Sequence, residues 1–141
     1  MTRLTVGYRF NASHKMWSAE LSEEENRRTF GKCANPAGHG HSYRLEITFE
    51  RPVSRREPFV LTPMERERLI TGLLEPRLAY ADLNRVFGEG FIASGERIAQ
   101  AVRAMIEREF TCGARLMAVR VIETSKNSFV CYGHNPEGEP A

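Results

Sequence analysis

Two histidines, His39 and His41, stand two residues apart in a short glycine-rich stretch that also carries Cys33. If the backbone is extended there, both imidazoles point to the same side of the strand, because side chains alternate between its faces. Imidazole nitrogen and thiolate sulfur are common ligands of zinc. The stretch therefore indicates a metal site, although one pair of histidines does not define it and a third ligand has to come from elsewhere.

The third candidate ligand, His14, follows from the alternation of two predicted strands. In residues 3–14, alternate side chains are apolar and lie on one face, and His14 is the last member of that row. In residues 39–49 the order is reversed: His39 and His41 begin a row whose later members are apolar. If the strands pair antiparallel, the end of the first lies beside the start of the second. Three histidines then meet at one end of the sheet, on its core face. Taken singly, each is better explained as a hydrogen-bonded polar residue, and the metal site is favoured only when the three are taken together.

The segment between these strands, residues 15–38, is too long for a hairpin turn and is predicted to cross over the same end of the sheet. Ser22 followed by Glu25 is a capping-box pattern, which predicts a short helix over about residues 23–29. Cys33 comes after this helix, beside the predicted metal site. A thiol in that position either acts as a base or is an ordinary loop residue.

The rest of the chain predicts two helices and two further strands. Thr62 and Pro63 are an N-cap and a first helical residue, Pro76 is expected to end that helix, and Ser94 caps the next one. The order ββααββ predicts a single domain, residues 1–141, of the α+β class, with two helices on one face of a four-stranded antiparallel sheet. The predicted spans are 63–75 and 95–109 for the helices and 114–124 and 128–132 for the strands. Residues 78–84 are predicted to be irregular or a short turn of helix.

A carboxylate, Glu123, ends the apolar row of the third predicted strand. Met117, Val119 and Val121 share its face, so a charge at that position is costly unless it meets a hydrogen-bond donor. The donor is either an arginine or a bound ligand, and the place of Glu123 at the end of an apolar row favours the ligand.

The composition argues against several kinds of partner. With 20 basic and 18 acidic side chains and a net charge of +2, the chain lacks the basic excess of a nucleic-acid-binding protein. No apolar run is long enough to span a membrane, and the N-terminus lacks a signal-peptide pattern. Three cysteines without CxxC spacing are typical of a reducing compartment. We therefore predict a cytoplasmic protein that binds neither nucleic acid nor membrane.

Together these residues resemble the 6-pyruvoyl-tetrahydropterin synthase family, which includes the related 6-carboxy-tetrahydropterin synthases. The resemblance covers most of the chain, and the spacing from Cys33 to the histidine pair is closer to the 6-pyruvoyl branch. It implies a tunnelling fold, in which ββααββ subunits form trimers through a continuous β-barrel and stack into hexamers with active sites at subunit interfaces. The densest similarity lies in residues 10–14, 23–26, 30–43 and 122–124.

The resemblance also implies a reaction on a reduced pterin. The family removes triphosphate from 7,8-dihydroneopterin triphosphate and rearranges the side chain, and three neutral imidazoles leave Zn²⁺ an open position for substrate. The implied roles are zinc binding for His14, His39 and His41, general-base catalysis for Cys33, and contact with the pterin ring for Glu123 and Glu96.

One stretch departs from the family pattern. Where the family has an Asp-His pair that helps the cysteine to move protons, this chain has Ala79 and Tyr80, with Asp82 nearby. General acid–base help is typically worth about 10²–10⁴-fold, so its loss would slow the parent reaction severely.

Three interpretations follow from this loss. Tyr80 or Asp82 replaces the relay, although a packing aromatic and a turn or cap residue are their ordinary roles. Alternatively, the enzyme performs other zinc-assisted chemistry, such as retro-aldol cleavage or epimerisation of a dihydropterin side chain, or acts on another substrate. Lastly, the chain is a catalytically inactive zinc-binding subunit of a larger assembly.

Overall fold

A four-stranded antiparallel sheet, with its strands in chain order, forms the centre of the molecule. The computed structural model describes residues 1–36 and 38–133. This arrangement confirms the predicted α+β class and the predicted pairing of the first two strands. The strands are β1 (Thr2–His14), β2 (His39–Arg51), β3 (Arg115–Ile122) and β4 (Ser128–Tyr132).

The helices begin where the capping residues predict. The side-chain oxygens of Ser22 and Thr62 each accept from the backbone N–H three residues on, and their own backbone N–H groups donate to the glutamate side chain at that position, which completes a capping box. Ser94 caps the longest helix. Among the described residues, no helix has the length and apolar character needed to cross a membrane. The helices are α1 (Glu23–Phe30, followed by a 3₁₀ turn, Gly31–Ala34), α2 (Pro63–Glu67), α3 (Glu75–Leu78), α4 (Leu83–Val86) and α5 (Gly95–Glu109).

The expectation that Pro76 ends the first long helix was wrong. A π-helical segment, Arg68–Leu74, links α2 to α3, and the N–H of Glu75 bonds to the carbonyl of Ile70, five residues back. Pro76 falls in the first turn of α3, where a missing N–H is best tolerated. The wider π turn therefore lets the helix continue past the proline.

The core lies between one face of the sheet and the π-helical segment, α3 and α5. The predicted inward residues of α5, from Ile98 to Ile106, are buried, and α5 packs on β3 and β4. Burying each such side chain contributes roughly 1.5–3 kcal/mol. At the start of α5 the packing is so close that a Cβ on Gly95 would lie 2.1 Å from the ring of Phe129.

Two ion pairs that share Glu50 join three strands at the end of the sheet far from the histidines. The carboxylate of Glu50 on β2 receives hydrogen bonds from Arg3 on β1 at 3.1 Å and Arg115 on β3 at 2.9 Å. The bond from Arg115, followed by that from Arg3, lowers the pKa of Glu50. These ion pairs stabilise β1 and β3 against β2, the strand that lies between them.

Candidate metal centre and active site

The register of β1 and β2 brings the three histidines together. His14 pairs with His39, and Ala12 pairs with His41, so the end of one strand meets the start of the other as their alternation predicts. The Nε2 atoms of His14 and His39 are 3.3 Å apart, and the three ring centroids lie 4.5–4.8 Å from one another. We call His14, His39 and His41 the imidazole cluster.

A backbone hydrogen bond orients the most buried imidazole. Nδ1 of His14 lies 2.7 Å from the carbonyl oxygen of Ala93. Because a carbonyl only accepts, Nδ1 carries the proton and the Nε2 of the neutral ring has a free lone pair. Burial lowers the pKa of His14, which favours this neutral form. A ring held in this way is characteristic of metal-binding histidines.

His41 presents a buried nitrogen that lacks a hydrogen bond. Its Nε2 lies 3.2 Å from Oε1 of Glu123, yet the two are poorly aligned and the nitrogen has no hydrogen-bond partner within residues 1–36 and 38–133. Burial lowers the pKa of His41 more than the neighbouring carboxylate raises it. A neutral imidazole with an unsatisfied, buried nitrogen is suited to a cation.

Cys33 lies on the 3₁₀ turn, with its Sγ 3.7 Å from Nε2 of His39. A hydrogen bond from the N–H of Met16 to the Cys33 carbonyl, 2.7 Å, fastens this turn to the residues that follow β1. Burial, and then the charge of Glu123, raises the pKa of the Cys33 thiol. Within this chain alone, the cysteine is therefore held as a thiol rather than as a thiolate.

Two overlapping sets of donor atoms result. His14 and His39 combine with Cys33, and His14 and His41 combine with Glu123, with each set of ligand atoms lying within 4.8 Å of one another. Nitrogen, sulfur and carboxylate oxygen at this spacing are the donors that zinc accepts. The residues present therefore fit a zinc ion, with His14 common to both sets.

Glu123 lies one residue beyond β3 and turns towards the imidazole cluster. Its Oε1 is 3.7 Å from Nε2 of His14 as well as 3.2 Å from that of His41. Of the two donors considered for this carboxylate, an arginine is not the one found, because its ion pairs in the described structure are with histidines.

Cavities border the cluster on two sides. One of about 750 Å³ is lined by Tyr43, Tyr80 and Glu123, and another of about 750 Å³ is lined by His39, His41 and the 3₁₀ turn. Both volumes suit a small-molecule ligand.

The structure does not join the other predicted site residues to the cluster. Tyr80 is 86% exposed and adopts a φ of 56°, with its N–H bonded to the carbonyl of Asn11. Asp82 caps α4 by accepting from the N–H of Asn84 at 3.0 Å. Glu96 is exposed in the first turn of α5. Only Tyr80 of these three shares a cavity with Glu123.

Two asparagines that sequence reasoning did not single out organise the surrounding loops. Asn26 is fully buried and bonds to the backbone of the crossing segment, and Asn84 bonds to both backbone groups of Lys15 and to the carbonyl of Phe91 at 2.7–2.9 Å. Neither residue belongs to an apolar row or has a metal-ligand spacing. Their partners are backbone atoms, so periodicity carries no signal for them.

Gly38 shows why a glycine precedes the first histidine of β2. Its φ is +68°, and a Cβ there would lie 2.8 Å from the carbonyl oxygen of His14. An alanine would therefore be strained in the backbone and would also press on the residue that pairs with His39.

Comparison with known protein families gives a match along almost the whole chain. The model of the family described as 6-pyruvoyl tetrahydropterin synthase matches residues 3–134. The family predicted from the sequence is thereby confirmed.

Individual relatives agree with this family match. The 6-pyruvoyl tetrahydrobiopterin synthase of Drosophila melanogaster is 33% identical over 135 residues, covering 94% of this chain and 80% of that protein. The enzyme of the same name from Homo sapiens is 29% identical over 126 residues, covering 88% and 86%.

Solved structures share the fold. The 6-pyruvoyl tetrahydropterin synthase of Caenorhabditis elegans superposes with a TM-score of 0.86 at 25% identity, covering 94% of this chain and 96% of that one. An uncharacterised protein from Wolinella succinogenes, at 17% identity and a TM-score of 0.62, covers 94% and 98% and is similar in fold alone.

Proposed function

The chain belongs to the 6-pyruvoyl tetrahydropterin synthase family, and we propose that it is a zinc-dependent carbon–oxygen lyase acting on 7,8-dihydroneopterin triphosphate or a related reduced pterin. The reaction eliminates triphosphate and rearranges the side chain. The observation that carries this proposal is the convergence of three imidazole rings beside a thiol and a carboxylate. Within the described residues, the buried Nε2 of His41 has no hydrogen bond.

The proposed zinc ligands are His14, His39 and His41. Bound zinc supplies positive charge that stabilises negative charge developing on the substrate. The bond from Nδ1 of His14 to Ala93 fixes that ring and keeps its Nε2 available.

Cys33 is the proposed general base. It takes a carbon-bound proton from the substrate. It can do so only as a thiolate, after the thiol has lost its own proton. The raised pKa of the thiol opposes that loss, so the positive charge of a zinc ion held by the neutral imidazoles would be needed to favour the thiolate. Its distance of 3.7 Å from His39 supports this coupling.

Glu123 is the proposed anchor for the heterocycle. Its carboxylate accepts hydrogen bonds from ring and amino N–H groups, which orients the substrate without reacting. Glu96 is proposed as a second contact with the pterin ring, the role that the family resemblance implies. This role requires the ligand to extend to the start of α5, where Glu96 lies.

The missing Asp-His pair supports a second candidate reaction. With Ala79 in one of its positions and Asp82 occupied as a helix cap, Tyr80 is the remaining candidate relay. A retro-aldol cleavage or epimerisation of a dihydropterin side chain requires fewer proton transfers through such a relay. This alternative keeps the same zinc ligands, base and anchor.

The proposed assembly is a homo-oligomer, a trimer or hexamer, acting in the cytoplasm. In the described sheet, β1 and β4 are the edge strands, and unpaired edges invite pairing with another copy. Three cysteines without a disulfide among them suit a reducing compartment.

Zinc binding and product analysis test the proposal together. We expect the reconstituted protein to hold about one zinc per chain, and His14→Ala to weaken zinc binding at least tenfold. The matched control is His134→Ala, which replaces the remaining histidine. Mass spectrometry with 7,8-dihydroneopterin triphosphate, with and without chelator, then separates the reactions.

The products identify which chemistry operates. Zinc-dependent release of triphosphate supports the lyase, whereas glycolaldehyde from 7,8-dihydroneopterin supports the retro-aldol reaction. A Cys33→Ala variant that retains zinc should lose either activity by at least 10²-fold. Wild-type protein that takes up no zinc after reconstitution, or turns over no reduced pterin, would refute the proposed function.

A further inference from the structure

A buried hydroxyl beside the imidazole cluster has no hydrogen bond. Tyr43 on β2 is 1% exposed, and its Oη has no partner anywhere in residues 1–36 and 38–133. Leaving such a group unsatisfied costs roughly 1–3 kcal/mol. Phenylalanine would fill the same space without that cost, so the hydroxyl calls for an explanation.

The tyrosine ring is held firmly in place. It stacks on Phe10 with centroids 5.2 Å apart and an interplanar angle of 17°. Its other neighbours are His41 at 5.6 Å and His14 at 6.2 Å, both edge-on. A side chain packed on these sides cannot swing its hydroxyl out to solvent, so a partner must come to it.

The hydroxyl of Tyr43 is available as a donor. A phenol keeps its proton at neutral pH, because its ordinary pKa is about 10. Tyr43 and Glu123 also border the same cavity. A donor and an acceptor therefore lie at one cavity, and a ligand with both N–H groups and carbonyl or ring-nitrogen acceptors would satisfy both.

We propose that Tyr43 is a substrate-binding residue whose hydroxyl donates a hydrogen bond to an acceptor atom of the bound reduced pterin. This inference rests on the proposed function for the identity of the ligand. Glu123 accepts from the heterocycle and Tyr43 donates to it, so the two groups fix the orientation of the ring relative to the imidazole cluster. The unsatisfied hydroxyl of the free protein is then paired on binding.

The test is Tyr43→Phe, which removes only the hydroxyl. The zinc-loaded full chain is titrated with 7,8-dihydroneopterin, and the Kd is measured by fluorescence or calorimetry. We expect about tenfold weaker binding, corresponding to about 1.4 kcal/mol. Zinc content should be unchanged and urea stability unchanged or raised, because the variant removes a buried unpaired group. The matched control, Tyr132→Phe, changes an exposed tyrosine on β4 and should leave the Kd, the zinc content and the urea stability unchanged.

The outcomes separate this inference from the proposed function. If wild type binds the pterin and Tyr43→Phe binds it equally well, the role of Tyr43 is refuted while the proposed function stands. A loss of stability with unchanged affinity likewise refutes it, because the hydroxyl would then have a structural partner such as a buried water. If wild type itself binds no reduced pterin, both proposals fail.

Discussion

Replacing Asn26 by alanine should destabilise the protein more than any surface change, because this one amide fastens the segment that crosses the proposed metal site. Its Oδ1 accepts from the N–H of Ser18 at 2.7 Å. Its Nδ2 lies at 2.9–3.2 Å from the carbonyls of Ser18, Leu21 and Ser22. Ser18, Leu21 and Ser22 lie outside the helices and strands, and the Asn26 side chain supplies hydrogen bonds that regular secondary structure would otherwise give them.

The size of the loss follows from these contacts. One accepted bond and two donated protons shared among three carbonyls are worth about 1 kcal/mol each, and the amide is fully buried. We therefore expect Asn26→Ala to lower the free energy of unfolding by about 3 kcal/mol. For a domain of this length, that corresponds to roughly 10 °C in Tm.

Urea denaturation followed by circular dichroism measures this change, with all variants at one protein concentration. Asn26→Asp keeps the volume but turns a carboxylate oxygen towards carbonyl oxygens, so its loss should be at least as large. The control is Asn127→Ala. Asn127 is exposed in the turn after β3, and its hydrogen bond to Thr124 is donated by the backbone N–H, which the substitution keeps.

The consequence for activity is equally specific. Because α1 leads directly into the turn that carries Cys33, loosening the segment should reduce turnover while the histidines on the strands keep their zinc. An Asn26→Ala protein within 0.5 kcal/mol of wild type would refute the reasoning, as would loss of zinc with turnover per bound zinc intact.

Three other predictions concern stability. Gly95→Ala should destabilise by about 1–3 kcal/mol, because its Cβ would lie 2.1 Å from the ring of Phe129. Glu50→Gln should be less stable than wild type at neutral pH. The pKa of Glu50 is lower in the folded protein than in the unfolded chain, so its ionised carboxylate stabilises the fold fully at pH values above the unfolded-state pKa of about 4.3. That stabilisation is lost as the pH falls through the folded-state pKa. At Tyr80, whose φ is 56°, glycine should be more stable than alanine by about 1 kcal/mol, the reverse of their usual order.

Matched variants decide these cases. Gly72→Ala, at a helical glycine whose nearest contact for a Cβ is 3.5 Å away, should stabilise where Gly95→Ala destabilises. Glu46→Gln removes a single longer arginine contact of 3.6 Å on β2 and should show a smaller deficit than Glu50→Gln at neutral pH. A Glu50→Gln deficit that persists unchanged to acid pH, or a Tyr80→Ala protein as stable as Tyr80→Gly, would contradict the stated causes.

Local pattern was enough to predict the elements and the meeting of the histidines. Side-chain alternation put His14, His39 and His41 on one face, and the capping residues Ser22 and Ser94 marked the starts of helices. Each of these signals depends on residues a few positions apart in the chain. Strand parity and capping are therefore readable without knowledge of the fold.

Other features depended on backbone geometry that the pattern of residue types does not specify. Pro76 lies within a helix because the preceding π turn accommodates it. Asn26 bonds to backbone atoms of the crossing segment, which adopts its shape only when packed.

The hydroxyl of Tyr43 is the clearest case of what the tertiary structure decided. In the sequence it is one more member of an apolar row, and in the fold it becomes a buried donor with no partner among the residues that the structure describes. Alternation determines which face a side chain occupies, because that depends only on its neighbours along the strand. Whether its polar atom is satisfied depends on every segment packed around it, and only the folded chain brings those segments together.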